Sequence, residues 1–486
     1  MVATTVPINR RRFLRRTTFG VAAFSLLDAP RSAWTAQAND KLNVALVGVG
    51  GRGEWFVDTI PKLQHVVALC DVNSTKLAGA FRRWQDLAQR FERSPNDWER
   101  RAAAAYQRCL AAKPKTFRDF RKMIEVMGQR IDAVVVATPD HTHAMVSAAA
   151  IQAGKHVFCE KPLTRTVHES RALRELARKH KAVTAMGNQG TYSGPFRRAL
   201  ELIRNGTLGE IHEVHVWNSG GGADRKQPPA GEQPVPDELD WDLWLGPAAI
   251  RPYHGDWLNR HLWREFGTCQ LGNWGAHTTN LGFMALKVHE LWLNDPPATG
   301  RPLIRVEAKH TGVNRLSFPG WERVSWRIPA RKEFPPITIT WYNGDAPGVR
   351  EVRARLSSDP SDKDRSAWEF AGTFIVGTRG SIHTTGHNMW FRLVPEDRFE
   401  KVQRNRPETI ESSRDPEQDF FAACRGGRAP WSNFDYADAL NEFLMLGNVA
   451  TQFEGPLEFD PAAMKIVNHA EADALLRADY RRGWTL

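Results

Sequence analysis

The sequence predicts an α/β protein: a doubly wound parallel sheet in its first third, followed by a larger unit with a second sheet. Three observations carry this. Apolar runs of strand length alternate with helix-like stretches from residue 41 to about 160, the pattern of a parallel sheet covered by helices. A glycine-rich string lies directly between the first strand and the first helix. Beyond residue 300, segments 304–309, 324–328 and 337–342 alternate apolar and polar residues, which reads as strands with one buried face.

The elements follow in order. Residues 41–47 (Lys-Leu-Asn-Val-Ala-Leu-Val) form a buried parallel strand, and Gly48-Val49-Gly50-Gly51-Arg52-Gly53 comes next, then a helix over 54–60. In this context the glycines have separate tasks. Gly48 permits a tight turn, Gly50 lets backbone approach a pyrophosphate, and Gly53 allows close helix–strand packing. The helix N-terminus offers its free N–H groups to phosphate. The second strand, 65–70, ends at Asp71, 18 residues after Gly53. A carboxylate there accepts from ribose hydroxyls and repels a 2′-phosphate, which favours NAD over NADP. Asp71 as a simple strand-end turn residue is the alternative, and Arg82 and Arg83 lie near enough in sequence to serve a phosphate.

Residues 75–113 read as charged helix, with Trp84, Phe91, Trp98 and Tyr106 as packing residues. A helix over 117–126 leads to a strand over 131–137 that ends at Thr138-Pro139. A helix over 143–153 and a strand over 155–159 complete the alternation. The boundaries expected are 1–38 for a leader, 39–163 for the dinucleotide domain and 164–486 for a substrate and oligomerisation domain.

Composition narrows the class. The chain has 486 residues, 42% apolar and 25% charged, ordinary values for two or three globular domains. The formal charge is +11, but residues 1–38 hold six arginines and one aspartate, and the remainder carries a net charge near +6. No basic run interleaved with aromatics follows, so nucleic acid is not an expected partner. Cys70, Cys109, Cys159, Cys269 and Cys424 are sparse and irregularly spaced. They suggest neither a disulfide framework nor a metal site.

Residues 9–15, Asn-Arg-Arg-Arg-Phe-Leu-Arg, resemble a twin-arginine export signal. A short apolar run over 17–27 and the small-x-small string Ala36-Gln37-Ala38 follow. That order of basic, apolar and cleavage regions predicts export to the periplasm after cleavage near Ala38. The run is too short to span a bilayer, which needs about 20 residues. A protein exported folded should carry its cofactor with it, tightly held.

Three further strings point one way: Thr138-Pro139-Asp140-His141-Thr142-His143, Glu160-Lys161-Pro162 and Gly187-Asn188-Gln189. With Gly48–Gly53, the Trp241-Asp242-Leu243-Trp244-Leu245-Gly246-Pro247 run and Leu271-Gly272-Asn273-Trp274-Gly275-Ala276-His277, they resemble the Gfo/Idh/MocA oxidoreductases across essentially the whole mature chain. The resemblance implies a Rossmann domain, an α/β domain with a large open, mainly antiparallel sheet, and an active site between them. It also implies NAD contacts from Gly48, Gly50, Gly51, Arg52, Gly53, Asp71, Thr138, Pro139, His141, His143, Glu160, Lys161, Asn188 and Gln189. Lys161 would hydrogen-bond the reacting hydroxyl, and His277 would be the acid/base. The sequence departs from the family pattern at Asn273, where an aspartate is expected. Asn273 and His277 share a helical face at i, i+4 spacing, but an amide cannot carry charge.

In the remainder, Trp241, Trp244, Trp257, Trp263 and Trp274 fall within 34 residues. Indoles stack on sugar rings, and they equally fill cores. Trp274, Tyr253, His254 and Arg264 are the substrate-pocket candidates, and no metal ligands are expected. Residues 219–236 and 350–365 read as loops, and 420–453 and 461–477 as helices. The leading function is oxidation of a sugar or polyol hydroxyl by NAD in a homo-oligomer. A redox-neutral glycosidase that oxidises its sugar transiently and a catalytically inactive dinucleotide sensor are the alternatives.

Overall fold

A computed structural model describes residues 41–293, 300–331, 334–356 and 369–486; the leader expected at 1–38 lies outside them. The first sheet is assembled from β1 (Asn43–Val47), α1 (Gly53–Leu63), β2 (His65–Cys70), α2 (Ser74–Glu92), α3 (Asp97–Ala112) and β3 (Lys115–Phe117). It continues through α4 (Phe120–Met127), β4 (Ala133–Val136), α5 (Asp140–Gln152), β5 (His156–Cys159), α6 (Val167–His180) and β6 (Thr184–Met186). Its order is β3-β2-β1-β4-β5-β6, and every pairing is parallel. Val44–Val47 and all of β4 are buried, as strands covered by helices on both faces must be. The order reverses between β1 and β4, which opens a crevice at their carboxyl ends.

Local chemistry starts the helices. The Asn73 side chain caps α2 by accepting from Lys76 N–H, and Thr166 and Glu169 form a reciprocal capping box on α6. Helix α5 begins at Asp140, three residues before the start expected from sequence, so Asp140 and His141 belong to its first turn. Strand β6 pairs with β5, so the parallel sheet runs past residue 163, where the domain boundary was expected.

After α7 (Gly194–Arg204), the chain builds β7 (Ile211–Asn218), β8 (Ile304–His310), β9 (Glu322–Ile328), β10 (Ile337–Asn343), β11 (Ala371–Gly377), β12 (Gly380–Thr385), β13 (Phe391–Val394), β14 (Leu457–Asp460) and β15 (Lys465–Ile466). These form a nine-stranded sheet ordered β13-β12-β11-β7-β10-β9-β8-β14-β15. The β7–β10 pair is parallel; the other seven pairings are antiparallel. The mixed, mostly antiparallel second sheet expected from sequence is present. The helix Phe434–Ala450 is buried on all sides and lies between α6 and this sheet, with Phe443 stacked on Trp326 at 4.4 Å.

Two expectations are corrected here. The helix Val349–Ala354 takes the start of 350–365, expected as loop; residues 357–368 lie outside the described set. The stretch 461–477 is not one helix. Asp460 accepts from the Ala462 and Ala463 amides, Met464 turns with φ 51°, and β15 pairs with β14, leaving only Ala470–Ala474 helical. Sheet pairing wins over alanine-rich helix propensity. All five cysteines are free, four of them buried.

Candidate active site

A cleft of about 900 Å³ opens at the carboxyl ends of β1, β2 and β4. Gly48, Gly50, Gly51 and Arg52 line it, with Asp71, Thr138, Pro139, His143, Glu160 and Lys161. The glycine turn admits no side chain where it bends. A Cβ on Gly48 would sit 2.6 Å from the Ala137 carbonyl oxygen, and one on Gly53 would sit 2.1 Å from the Gly48 oxygen. Gly51 has φ +54° and nothing within 4 Å, so its backbone faces open space, as an approach to a pyrophosphate requires. Asp71 is fixed at the end of β2, accepting from Val49 N–H and Asn73 N–H at 2.9 Å each. Burial raises its pKa against the pull of these amides. The buried Thr138 Oγ1 has no partner among the described residues. These features fit a dinucleotide: a Cβ-free cradle, an acid on the cleft wall at the end of β2 and an idle hydroxyl.

A strap from the second domain forms the opposite wall, with Pro236, Glu238, Leu239, Leu243, Trp244, Tyr253, Leu258 and Arg260 lining the cleft. It is tied to the rim beside Asp71. Leu239 bridges Asn73, Ser74 N–H donates to Glu238 O at 2.9 Å, and Asp240 N–H donates to Val72 O at 3.0 Å. Arg118 Nη2 donates to both Val72 O and Glu238 O.

Of the chemistry-bearing groups, Lys161 and Asn273 line the other end of the cleft, while His277 lies buried beside Trp274 and is not among the lining residues. Lys161 Nζ donates to Asn273 Oδ1, and to the Asn273 carbonyl at 3.2 Å. Burial lowers its pKa from 10.5; Arg260 and Arg52 add to this, and Glu160 and Asp140 oppose it. Glu160 accepts from Arg52 Nε at 2.8 Å and from Lys161 N–H at 3.1 Å. His277 is buried, and its Nδ1 lies 3.1 Å from Asn188 Oδ1. Asn188 Nδ2 donates to Ala276 O at 2.6 Å, which fixes that amide's orientation. His277 Nδ1 therefore carries the proton, and Nε2 keeps the lone pair of a base. Burial, reinforced by Lys161, His387 and Arg52, holds the His277 pKa well below 6.5.

His387 was not singled out from sequence. It sits on the β12–β13 hairpin, 4.6 Å from the His277 ring and 5.0 Å from Trp274. Its neighbour Asn388, at φ 57°, locks the hairpin by donating to the His277 and Thr278 carbonyls. The one available signal was Gly386-His387-Asn388, a turn-forming string with an asparagine suited to positive φ. Gln270 also lines the cleft, and its buried Oε1 lacks a partner among the described residues.

The remaining candidates divide. Trp274 and Tyr253 line the cleft. His143 lines it too, with Nδ1 2.8 Å from Pro162 O and Nε2 2.8 Å from Thr138 O, tying the two cofactor loops together. His141 is buried away from it, its Nε2 2.9 Å from Trp244 O, where burial lowers its pKa to about 3. Gln189 opens a short turn after β6. His254 caps the turn Gly255–Leu258. Arg264 is not brought to the pocket: it donates to the Asn314, Ser317 and Asn448 carbonyls and to Thr451 Oγ1. Trp244, Trp257 and Trp263 pack into a small core of their own with Phe266, and Trp241 lies against it. Only Trp274 of the five stands beside His277.

Residues 42–188 match the model of the Gfo/Idh/MocA oxidoreductase family, NAD-binding Rossmann fold. Levoglucosan dehydrogenase of Pseudarthrobacter phenanthrenivorans is 29% identical over 180 residues, 35% of this chain and 39% of its own. Glycosyl hydrolase family 109 protein 2 of Shewanella sp. (strain ANA-3) is 29% identical over 174 residues, 35% of this chain and 34% of its own. The chain spans about a third of the length of the curated relatives it matches. A solved levoglucosan dehydrogenase in complex with NADH shares the fold, with a TM-score of 0.52 at 17% identity over 86% of this chain and 98% of that one.

Proposed function

We infer that this chain is a Gfo/Idh/MocA-type oxidoreductase that oxidises a sugar or polyol hydroxyl with a tightly held NAD. The observation that carries the reading is one continuous cleft joining the glycine turn and Asp71 to Lys161, Asn273 and Trp274. Gly48, Gly50 and Gly51 would cradle the pyrophosphate, and Asp71 would hold the ribose and disfavour a 2′-phosphate. The strap over the rim supports slow cofactor exchange. When bound, the nicotinamide supplies a hydride acceptor.

The chain's own groups handle the rest. Lys161, aimed by Asn273, donates a hydrogen bond to the hydroxyl oxygen and polarises it. His277, neutral and with its Nε2 lone pair free, takes the hydroxyl proton. Trp274 offers an indole face for the sugar ring, and Gln270 Oε1 accepts from a further hydroxyl. Export of the loaded, folded protein through the leader at 1–38 belongs to the same proposal.

The family 109 relative favours a second reading, a redox-neutral glycosidase in which the same groups act and no net NADH forms. Mass spectrometry of the denatured protein, followed by sugar and glycoside assays of the native one, tests both. NAD near one per chain and NADH formed from a free sugar support the dehydrogenase. Aglycone release without NADH supports the glycosidase. In either case Lys161→Met should lower turnover about 10²–10⁴-fold with NAD retained; undiminished turnover, or a protein without dinucleotide, sinks the reading.

A further inference from the structure

The charges at the Lys161 end of the cleft do not balance. Glu160 is engaged by Arg52 and by the Lys161 amide. Asp140, buried at the start of α5, has both carboxylate oxygens taken, Oδ1 by Arg260 Nη1 at 2.6 Å and Oδ2 by Thr268 Oγ1 at 2.8 Å. The partner of Lys161 is the neutral amide of Asn273. Lys161 thus stands in the cleft with no carboxylate of its own. Arg260 is held by Nη1 alone, half-exposed on the cleft wall. Its Nε and Nη2, the edge that meets a carboxylate through two parallel hydrogen bonds, have no protein partner among the described residues. A buried aspartate aims this arginine, so little side-chain freedom is left to lose on binding.

We propose that the hydroxyl-bearing substrate is a sugar acid, of the uronate or aldonate kind, whose carboxylate is bound by the free Nε–Nη2 edge of Arg260 while its hydroxyl faces Lys161. This rests on the reading of the cleft as a sugar or polyol site. It adds a substrate class that a purely neutral polyol site would not select. The carboxylate supplies the negative charge that Asn273 withholds, and the buried Gln270 Oε1 remains to accept from a hydroxyl of the same molecule.

The test is calorimetric titration of the full, dinucleotide-containing chain with D-glucuronate, D-gluconate, D-glucose and myo-inositol. The acids should bind about tenfold or more tightly than the neutral sugars, as hydrogen bonds to a charged group imply. Their advantage should shrink as salt is raised. Arg260→Gln should abolish it, and Arg260→Lys, which keeps the charge but loses the fork, should keep only part. Removing Arg260 leaves Asp140 buried and unpaired, so if Arg260→Gln fails to fold, Arg260→Lys decides. Equal binding of glucose and glucuronate, no binding of either acid, or an undiminished preference in Arg260→Lys overturns the inference. The dehydrogenase reading stands or falls separately. Selective uronate binding without hydride transfer retains the inference and removes that reading; equal oxidation of glucose and glucuronate does the reverse.

Discussion

At Lys161 an ammonium meets an amide in a place where a carboxylate would neutralise it. Asn273→Asp would put a negative charge beside Nζ and raise the Lys161 pKa from its burial-lowered value. Because the ammonium is the form that polarises the hydroxyl, activity is lost as pH rises through that pKa. The alkaline limb of a kcat–pH profile should therefore move upward by about one unit in Asn273→Asp; an unmoved limb would assign it to another group. His141 carries a second pH effect, on stability. Burial holds it neutral down to about 3 against an ordinary 6.5. Between those values the unfolded chain binds a proton that the folded one refuses, so stability is full above 6.5 and falls as pH drops toward 3. The expected slope is roughly 1.4 kcal/mol per pH unit. Denaturant midpoints from pH 7 to 4 measure it, and His141→Gln should flatten the slope.

Among the elements, the strap over 236–262 gives the cleft its second wall. Its hold on the Rossmann rim is mainly backbone, reinforced by the two carbonyl contacts of Arg118. Arg118→Met should leave the fold intact but free the strap. In hydrogen exchange, the Ser74 and Asp240 amides should lose protection together, and the dinucleotide should dissociate at least several-fold faster. Retained protection would mean that the indole cluster alone secures the strap. The β12–β13 hairpin is fixed differently. A Cβ on Gly190 would stand 2.1 Å from the His387 carbonyl oxygen, so the hairpin presses directly on the backbone after β6. This contact, with Asn388, sets His387 beside His277.

For the whole molecule, the two sheets are joined through buried charge as well as apolar packing. Arg171 of α6 meets Glu442 of the helix Phe434–Ala450 through two bonds of 2.6 and 2.9 Å, and Trp292 Nε1 donates to the same carboxylate at 2.8 Å. Asp438 lies alongside, 2.8 Å from Arg174 Nη1 without hydrogen-bond alignment. Burial and the Glu442 charge push its pKa well up, with Arg174 and Arg171 opposing. Glu442→Leu strips Arg171 of its two-bond partner, leaving Asp438 at 3.8 Å as its nearest carboxylate, and should cost about 3–5 kcal/mol by chemical denaturation. Arg171→Met added to it should recover part of that loss. Additive losses would show that the pair acts independently.

Local patterns in the chain determined the first sheet, the glycine turn, and the strand-end positions of Asp71, Thr138 and Lys161. Each depends on neighbours close in sequence: a strand, a turn without side chains, a helix start. The expected helix–loop order failed where long-range pairing competed, as in 461–477, where β14 draws β15 out of a helical composition. Arg264 and Arg260 look alike in sequence, yet Arg264 is consumed by four protein oxygens, while Arg260, on the cleft wall, is bonded only to Asp140 among the described residues. For the tryptophans over 241–263 the sequence left core and ligand open; they pack on one another, with Trp244 also lining the cleft. His387 and Gln270 had no local signature of function, because what makes them candidates is the company the fold brings them. Local geometry is encoded within a few residues. Which donors remain unpartnered is settled only when segments a hundred or more residues apart meet.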